Sequence, residues 1–188
     1  MAQPELTNLE LALLGLLDYR PMSGYDVQGI FATTALAHFS SSPGAIYPTL
    51  KRLEKRGLAE ATLDRTRETR PRRVYSMTTA GQEAFVAWLR QPVTREELVR
   101  NGSAPILRFS LCGKYLTPGE VTAYLEGYRR ELRAYLNELD EHRRALEQQG
   151  ALHHRLALLH GIRGYEATVA WVDEAIHAVA SAESDVRT

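Results

Sequence analysis

The chain has 188 residues, 44% of them hydrophobic and 24% charged, enough for one large folded domain or two small ones. Its formal net charge is zero, so bulk charge says nothing about a nucleic-acid partner and only the distribution of charge is informative. The single cysteine, Cys112, excludes an intramolecular disulfide; with no signal-peptide pattern after Met1 the expected location is the cytoplasm. The longest nearly uncharged apolar stretch, Leu9 to Leu17, falls far short of the roughly 20 residues that span a bilayer, so no membrane partner is expected.

Leu6, Leu9, Leu13, Leu16 and Leu17 recur at helical steps, with Thr7 or Asn8 placed to cap a first helix that breaks at Tyr19-Arg20-Pro21. Ser23 is placed to cap a second helix carrying Tyr25, Val27, Ile30 and Phe31. The run Ser40-Ser41-Ser42 before Pro43 reads as N-cap and first helical position. The third helix then places Ile46, Leu50 and Leu53 on one face and stops at Gly57. Pro48 predicts an irregular first turn.

Leu58 to Leu63 and Arg73 to Met77 have strand character and flank an arginine-rich stretch, which predicts a hairpin with a basic tip. Thr78 or Thr79 is placed to cap a fourth helix, with Thr79 and Gln82 at capping-box spacing. Gln91 to Pro105 reads as a connection, followed by a short apolar element from Ile106 to Leu116. After Thr117-Pro118 the positions Val121, Leu125, Tyr128, Leu132, Tyr135, Leu139, His142 and Leu146 alternate by four and three, a heptad seam. Gly150 ends it, and a last helix carries Tyr165, Val169, Val172, Ile176 and Val179.

The expected fold is therefore mainly α with a small β-hairpin. Residues 1–90 form a winged helix-turn-helix, 91–116 a connection with a short helix, 117–182 an antiparallel long-helix dimerisation domain, and 183–188 a disordered tail. The charge map supports a DNA partner. Between Pro43 and Arg73 stand Lys51, Arg52, Lys55, Arg56, Arg65, Arg67, Arg70, Arg72 and Arg73 against Glu54, Glu60, Asp64 and Glu68. At roughly 100° per residue from Ile46, Lys51, Lys55 and Arg52 point away from the apolar face. They are placed to meet phosphates or guanine edges, with free N–H groups near Ser42-Pro43-Gly44 offering a phosphate site and the wing a second cationic element. Tyr47 lies on the border of the two faces, its hydroxyl reaching a phosphate or rimming the core. An all-solvated basic face is the competing reading of such a helix.

Several runs resemble the PadR family of transcriptional regulators: Leu13-Leu14-Gly15-Leu16-Leu17, Ser23-Gly24-Tyr25, Gly44-Ala45-Ile46-Tyr47-Pro48-Thr49-Leu50-Lys51-Arg52-Leu53-Glu54, Gly57-Leu58, and Tyr75-Ser76-Met77-Thr78-Thr79-Ala80-Gly81. Ser23 stands where that family often has histidine, and Met77 where it often has leucine. The resemblance implies a transcriptional regulator with DNA contacts from Tyr25, Tyr47, Lys51 and the wing; with the heptad seam read as a two-fold dimer interface, the expected function is a repressor acting as a homodimer on a pseudopalindromic operator. The long helical tail resembles the larger-tailed branch of the family.

The DNA-binding set expected from residues and resemblance together is Tyr25, Ser42, Tyr47, Lys51, Arg52, Lys55, Arg70 and Arg72. The dimerisation set is Leu125, Tyr128, Leu132, Tyr135, Leu139, Val169, Val172 and Ile176, because a heptad seam buries little without a partner; packing of the two long helices on each other is the alternative. Tyr115, Tyr124, Tyr128, Tyr135, Trp88 and Trp171 have the chemistry to line a pocket for a small aromatic effector, or to serve as core. Six histidines (His38, His142, His153, His154, His160 and His177) lack the companion spacing of a zinc site, so no metal or cofactor is expected. No catalytic motif is present and no enzyme is expected; a winged helix turned to protein partners is the competing function.

Overall fold

The computed structural model describes residues 5–34, 36, 43–64 and 71–186. The chain divides into two compact units, Met1–Leu89 and Arg90–Thr188.

In the first unit, α1 (Asn8–Tyr19) is opened by a capping box: the Thr7 hydroxyl accepts from the Glu10 N–H, and the Glu10 carboxylate accepts from the Thr7 N–H at 2.9 Å. Its leucines Leu11, Leu13, Leu14 and Leu17 are buried on several sides, since α1 packs against both α3 (Ile46–Lys55) and α4 (Thr79–Leu89). It runs on to Tyr19, whose side chain is exposed, so the break falls at Arg20-Pro21. Ser23 caps α2 (Gly24–Thr33) with a second box through Asp26.

The basic helix starts differently from expectation. Pro43–Ala45 form a 3-10 turn and α3 begins at Ile46 with Ala45 as N-cap and no side-chain cap bond. This displacement explains why Pro48 is tolerated. As the third helical residue it occupies one of the four positions whose N–H has no intrahelical partner, so nothing is lost by lacking it. The Ser42 cap and the phosphate site built on it lie outside the described residues, as does Arg70 at the hairpin tip.

The end of α3 is a Schellman turn. Gly57 takes φ of 72°, its N–H donates to the Glu54 carbonyl at 3.0 Å, and the Leu58 N–H reaches back to Leu53 at 2.9 Å. Leu53 and Leu58 are both buried there.

The hairpin is β2 (Ala59–Asp64) and β3 (Arg72–Met77), antiparallel with Asp64 opposite Arg72. A third strand joins it: β1 (Met22–Ser23) pairs with β3, giving the order β1-β3-β2. Two residues are too short to leave an alternation in sequence, so the sequence pattern predicts only the hairpin. Thr78, not Thr79, caps α4, its hydroxyl donating to the Gly57 carbonyl at 2.7 Å and accepting from Gly81 at 3.0 Å. The Thr79–Gln82 box does not form, because Thr79 is already inside the helix and Gly81 is its third residue. The three helices, the wing and α4 make this unit a winged helix-turn-helix.

In the second unit the expected connection contains a helix, α5 (Arg95–Arg100), capped by Thr94, and α6 (Ala104–Leu111) follows, ending in a 3-10 turn Cys112–Lys114. Six residues with a single buried leucine, Leu98, carry too little periodicity to stand out in the sequence. The long helices are α7 (Pro118–Gln148), with a Thr117/Glu120 capping box, and α8 (Leu152–Val186). The helix thus extends into 183–188, the segment expected as a tail. The two lie antiparallel: Arg155 meets Glu147, Tyr165 meets Tyr135 and Asp173 meets Arg129 in turn along them.

Candidate nucleic-acid interface

Ile46, Leu50 and Leu53 are fully buried and Thr49 nearly so, which fixes the rotation of α3 about its axis. Tyr47, Lys51, Arg52 and Lys55 therefore lie on its outer side. Lys51 and Lys55 form no ion pair among the described residues, and each ammonium is available to an incoming anion. Tyr25 is 76% and Tyr47 44% exposed. The Tyr47 ring lies over Gly24, where a Cβ would stand 2.4 Å from its Cε1; the absence of a side chain at Gly24 lets this ring settle against the first turn of α2. The first turn of α2 and the outer face of α3 thus share one surface with two phenols and two ammonium groups.

The arginines are placed otherwise. Arg52 donates from Nε to Glu10 Oε1 at 3.1 Å and from Nη2 to Thr49 at 3.0 Å, and Arg56 donates to the same Glu10 oxygen at 3.3 Å. Arg72 bonds Asp64 at 3.1 Å and approaches Asp26 at 3.6 Å. Arg73 pairs with Glu54 of α3 and lies 5.7 Å over the Tyr75 ring, joining the wing to the helix. Burial alone would raise the Glu10 carboxyl. Bonds from the Thr7 N–H, the Arg52 guanidinium and the Thr7 hydroxyl, with the charge of Arg56, hold it below the ordinary value instead. Asp26 is lowered too, chiefly by the Ser23 hydroxyl and N–H, with Arg72 and Arg20 adding.

Sequence reasoning found the cations and, among the acids that hold them, Glu54 and Asp64, but missed Glu10 and Asp26. Glu10 and Asp26 do carry a local signal, the Thr7-x-x-Glu10 and Ser23-x-x-Asp26 capping spacings. Their link to arginines more than forty residues away does not, being made only when α1 packs on α3 and the wing on α2.

In the second unit Leu125, Leu132 and Val172 are fully buried and Tyr128 nearly so, already within one chain. Tyr135 is half-buried between the Tyr165 edge and the Arg95 guanidinium, 4.4 Å from its ring centre; Leu139, Val169 and Ile176 are half-buried. Toward the turn between α7 and α8 the seam opens. Leu152 and Leu156 are 50% and 51% exposed, beside a groove of about 420 Å³ lined by Arg143, Leu156, Leu159, Ile162 and Arg163 among others. The candidate effector rings pack on protein: the Tyr124 hydroxyl donates to the Pro105 carbonyl at 2.9 Å and Trp171 sits edge-on to Phe109. Burial raises the hydroxyl of Tyr124, and that of Tyr128 to about 12. Trp88 packs with Phe85 inside the first unit. Among the described residues no group of His, Cys, Asp and Glu is arranged to hold a metal, and no helix is long and apolar enough to cross a membrane.

A winged helix with an open cationic face is the architecture of a DNA-binding regulator. Residues 13–87 match the transcriptional regulator PadR-like family, and residues 111–180 match the virulence activator alpha C-terminal family. The first unit thus carries a PadR-like transcriptional regulator domain, and the C-terminal match falls on the long helical tail. The Negative transcriptional regulator PadR of Bacillus subtilis (strain 168) is 32% identical over 89 residues, 45% of this chain and 48% of the relative, so the match spans about half the relative's length. Similar solved structures include Bacillus subtilis PadR in complex with operator DNA (23% identity, TM-score 0.42, covering 91% of this chain and 98% of that one). The PadR-like transcriptional regulator BC1756 from Bacillus cereus is also similar (22%, TM-score 0.42, 95% and 99%), as is Bacillus subtilis PadR in complex with p-coumaric acid (22%, TM-score 0.40, 95% and 98%).

Proposed function

We propose that this regulator is a cytoplasmic repressor, without catalytic activity, that binds a pseudopalindromic operator as a homodimer and is released by a small aromatic ligand. The observation that carries the reading is the outer face of α3, where Lys51 and Lys55 are exposed and form no ion pair among the described residues, on the same face as the half-exposed Tyr47. Lysines there meet phosphates or guanine acceptors, and tyrosine hydroxyls donate to phosphate oxygens. Arg72, and Arg70 and Ser42 outside the described residues, complete the expected contact set from the wing and the start of the helix.

The homodimer rests on the exposed leucines Leu152 and Leu156 at the start of α8. Leu125, Tyr128, Leu132 and Val172 then support the dimer from inside each protomer rather than by touching the partner. Two-fold symmetry places the recognition helices about 34 Å apart, one turn of the duplex. The name of the curated relative, a negative regulator, agrees with repression, and the ligand bound in the p-coumaric acid complex is the kind of molecule the aromatic second unit would accept on local repacking.

Selection of duplexes from a random-sequence pool tests this reading. Enrichment of inverted half-sites centred about 10 base pairs apart is the expected result. Recovery of unrelated sequences, with no enrichment over the starting pool, would overturn it.

A further inference from the structure

We infer that Glu10 is a positioning residue for DNA recognition: its single carboxylate holds Arg52 and Arg56 away from the phosphates and leaves Lys51 and Lys55 to read the duplex. The inference rests on the α3 reading given above. Glu10 is 2% exposed and comes from α1, not from the α3 face that meets DNA in this reading. Its Oε2 accepts from the Thr7 N–H and hydroxyl, closing the cap of α1, while its Oε1 accepts from Arg52 at 3.1 Å and Arg56 at 3.3 Å. One anion thereby ties the start of one helix to the last turn and C-cap of another.

The consequence for Arg52 is specific. By position it belongs with Lys51 and Lys55 on the outer side of α3, and its side chain is 52% exposed. Yet Nε and Nη2 are both directed inward, to Glu10 and Thr49. A buried carboxylate with two guanidinium partners is costly to strip of either, because charge-assisted bonds in a partly desolvated site are stronger than the contact of one arginine with a solvated phosphate. Two long arginines free to swing would bind any duplex alike, since phosphate contacts carry no sequence information. Holding them removes that indiscriminate share of affinity, so the remaining contacts of the α3 face weigh more in deciding between sequences. Glu10 thus acts on selectivity through the cations it withholds.

The test uses the full-length protein, a duplex that it selects from a random pool and a scrambled duplex, with fluorescence anisotropy across a salt series. In the unaltered protein Arg52→Gln leaves the slope of log affinity against log salt unchanged, whereas Lys51→Gln lowers it by about 0.9, the value for one phosphate. In a Glu10→Gln background, which keeps the shape and one acceptor, the slope on the scrambled duplex steepens by about 0.9 for each arginine released, and Arg52→Gln then lowers it by the same amount. The ratio of affinities for selected over scrambled duplex falls in that background. A merely structural Glu10 would shift the melting temperature and move neither slope nor ratio, which would overturn the assignment. So would an Arg52→Gln effect equal to that of Lys51→Gln in both backgrounds, with DNA binding by α3 standing. No salt-dependent binding of either duplex by the unaltered protein would overturn the DNA reading itself, and this inference with it.

Discussion

The ring of Tyr47 lies so close over Gly24 that a methyl group there would stand 2.4 Å from Cε1 and 2.8 Å from Cδ1. Gly24 is the first residue of α2 and Tyr47 the second of α3, so the contact registers the two helices of the helix-turn-helix at their N-terminal ends. The clashing atoms belong to a half-exposed ring, which has room to rotate outward. Gly24→Ala is therefore expected to cost less than about 1 kcal/mol of stability, the methyl favouring the helix as it displaces the ring. It should weaken DNA binding about as much as removing the Tyr47 ring. Thermal melting beside anisotropy checks this; affinity equal to that of the unaltered protein would show that the ring does not face DNA.

The pH dependence of the first unit follows from Glu10. Its carboxyl is lowered in the folded chain, so the stability it contributes is fully present above the unfolded value of about 4.3 and is lost as pH falls toward the folded value. Melting temperature should drop through that acid window, and Glu10→Gln should flatten the drop while lowering stability at neutral pH. An identical acid limb in both proteins would contradict the bond network described for Glu10.

Arg108 is a buried cation of the second unit, 2% exposed, with Nη1 and Nη2 bonded to Glu97 and Nη1 also to the Gln91 carbonyl. Removing one partner of such a pair leaves an uncompensated charge, so Glu97→Ala should cost about 3–5 kcal/mol. Arg108→Met with Glu97→Leu should cost much less, because both charges go together. Denaturant unfolding measures both; equal losses would mean that packing, not charge, dominates at this site.

The open leucines make an independent prediction. Leu156→Glu places a carboxylate on the strip assigned to the dimer while leaving Leu125, Leu132 and Val172 undisturbed in the protomer. Sedimentation should show a shift toward monomer at unchanged helical content. A dimer of unaltered strength would move the interface elsewhere on α7 and α8.

The elements that carry long apolar periodicity or a cap were legible in the sequence: the leucines of α1, the Ile46–Leu50–Leu53 face of α3, and the Thr117-Pro118 start of α7. What was not legible was made by tertiary contact. β1 is too short to alternate and α5 has one buried leucine; the irregular start that Pro48 predicts is present as a 3-10 turn, and only its extent, which puts Pro48 where its N–H is not needed, was hidden. The cationic face was visible as a charge map, but a charge map cannot separate a free lysine from an arginine held by Glu10, Asp26, Asp64 or Glu54. That distinction requires knowing which helices touch.

The central claim, sequence-specific DNA recognition by the outer face of α3, is tested most directly by comparing the unaltered protein with a Lys51→Glu, Lys55→Glu variant on selected and scrambled duplexes at fixed salt. The unaltered protein is expected to prefer the selected duplex by a factor on the order of 10³ or more, and the variant to lose that preference with its melting curve unchanged. A variant that keeps both affinity and preference would contradict the account.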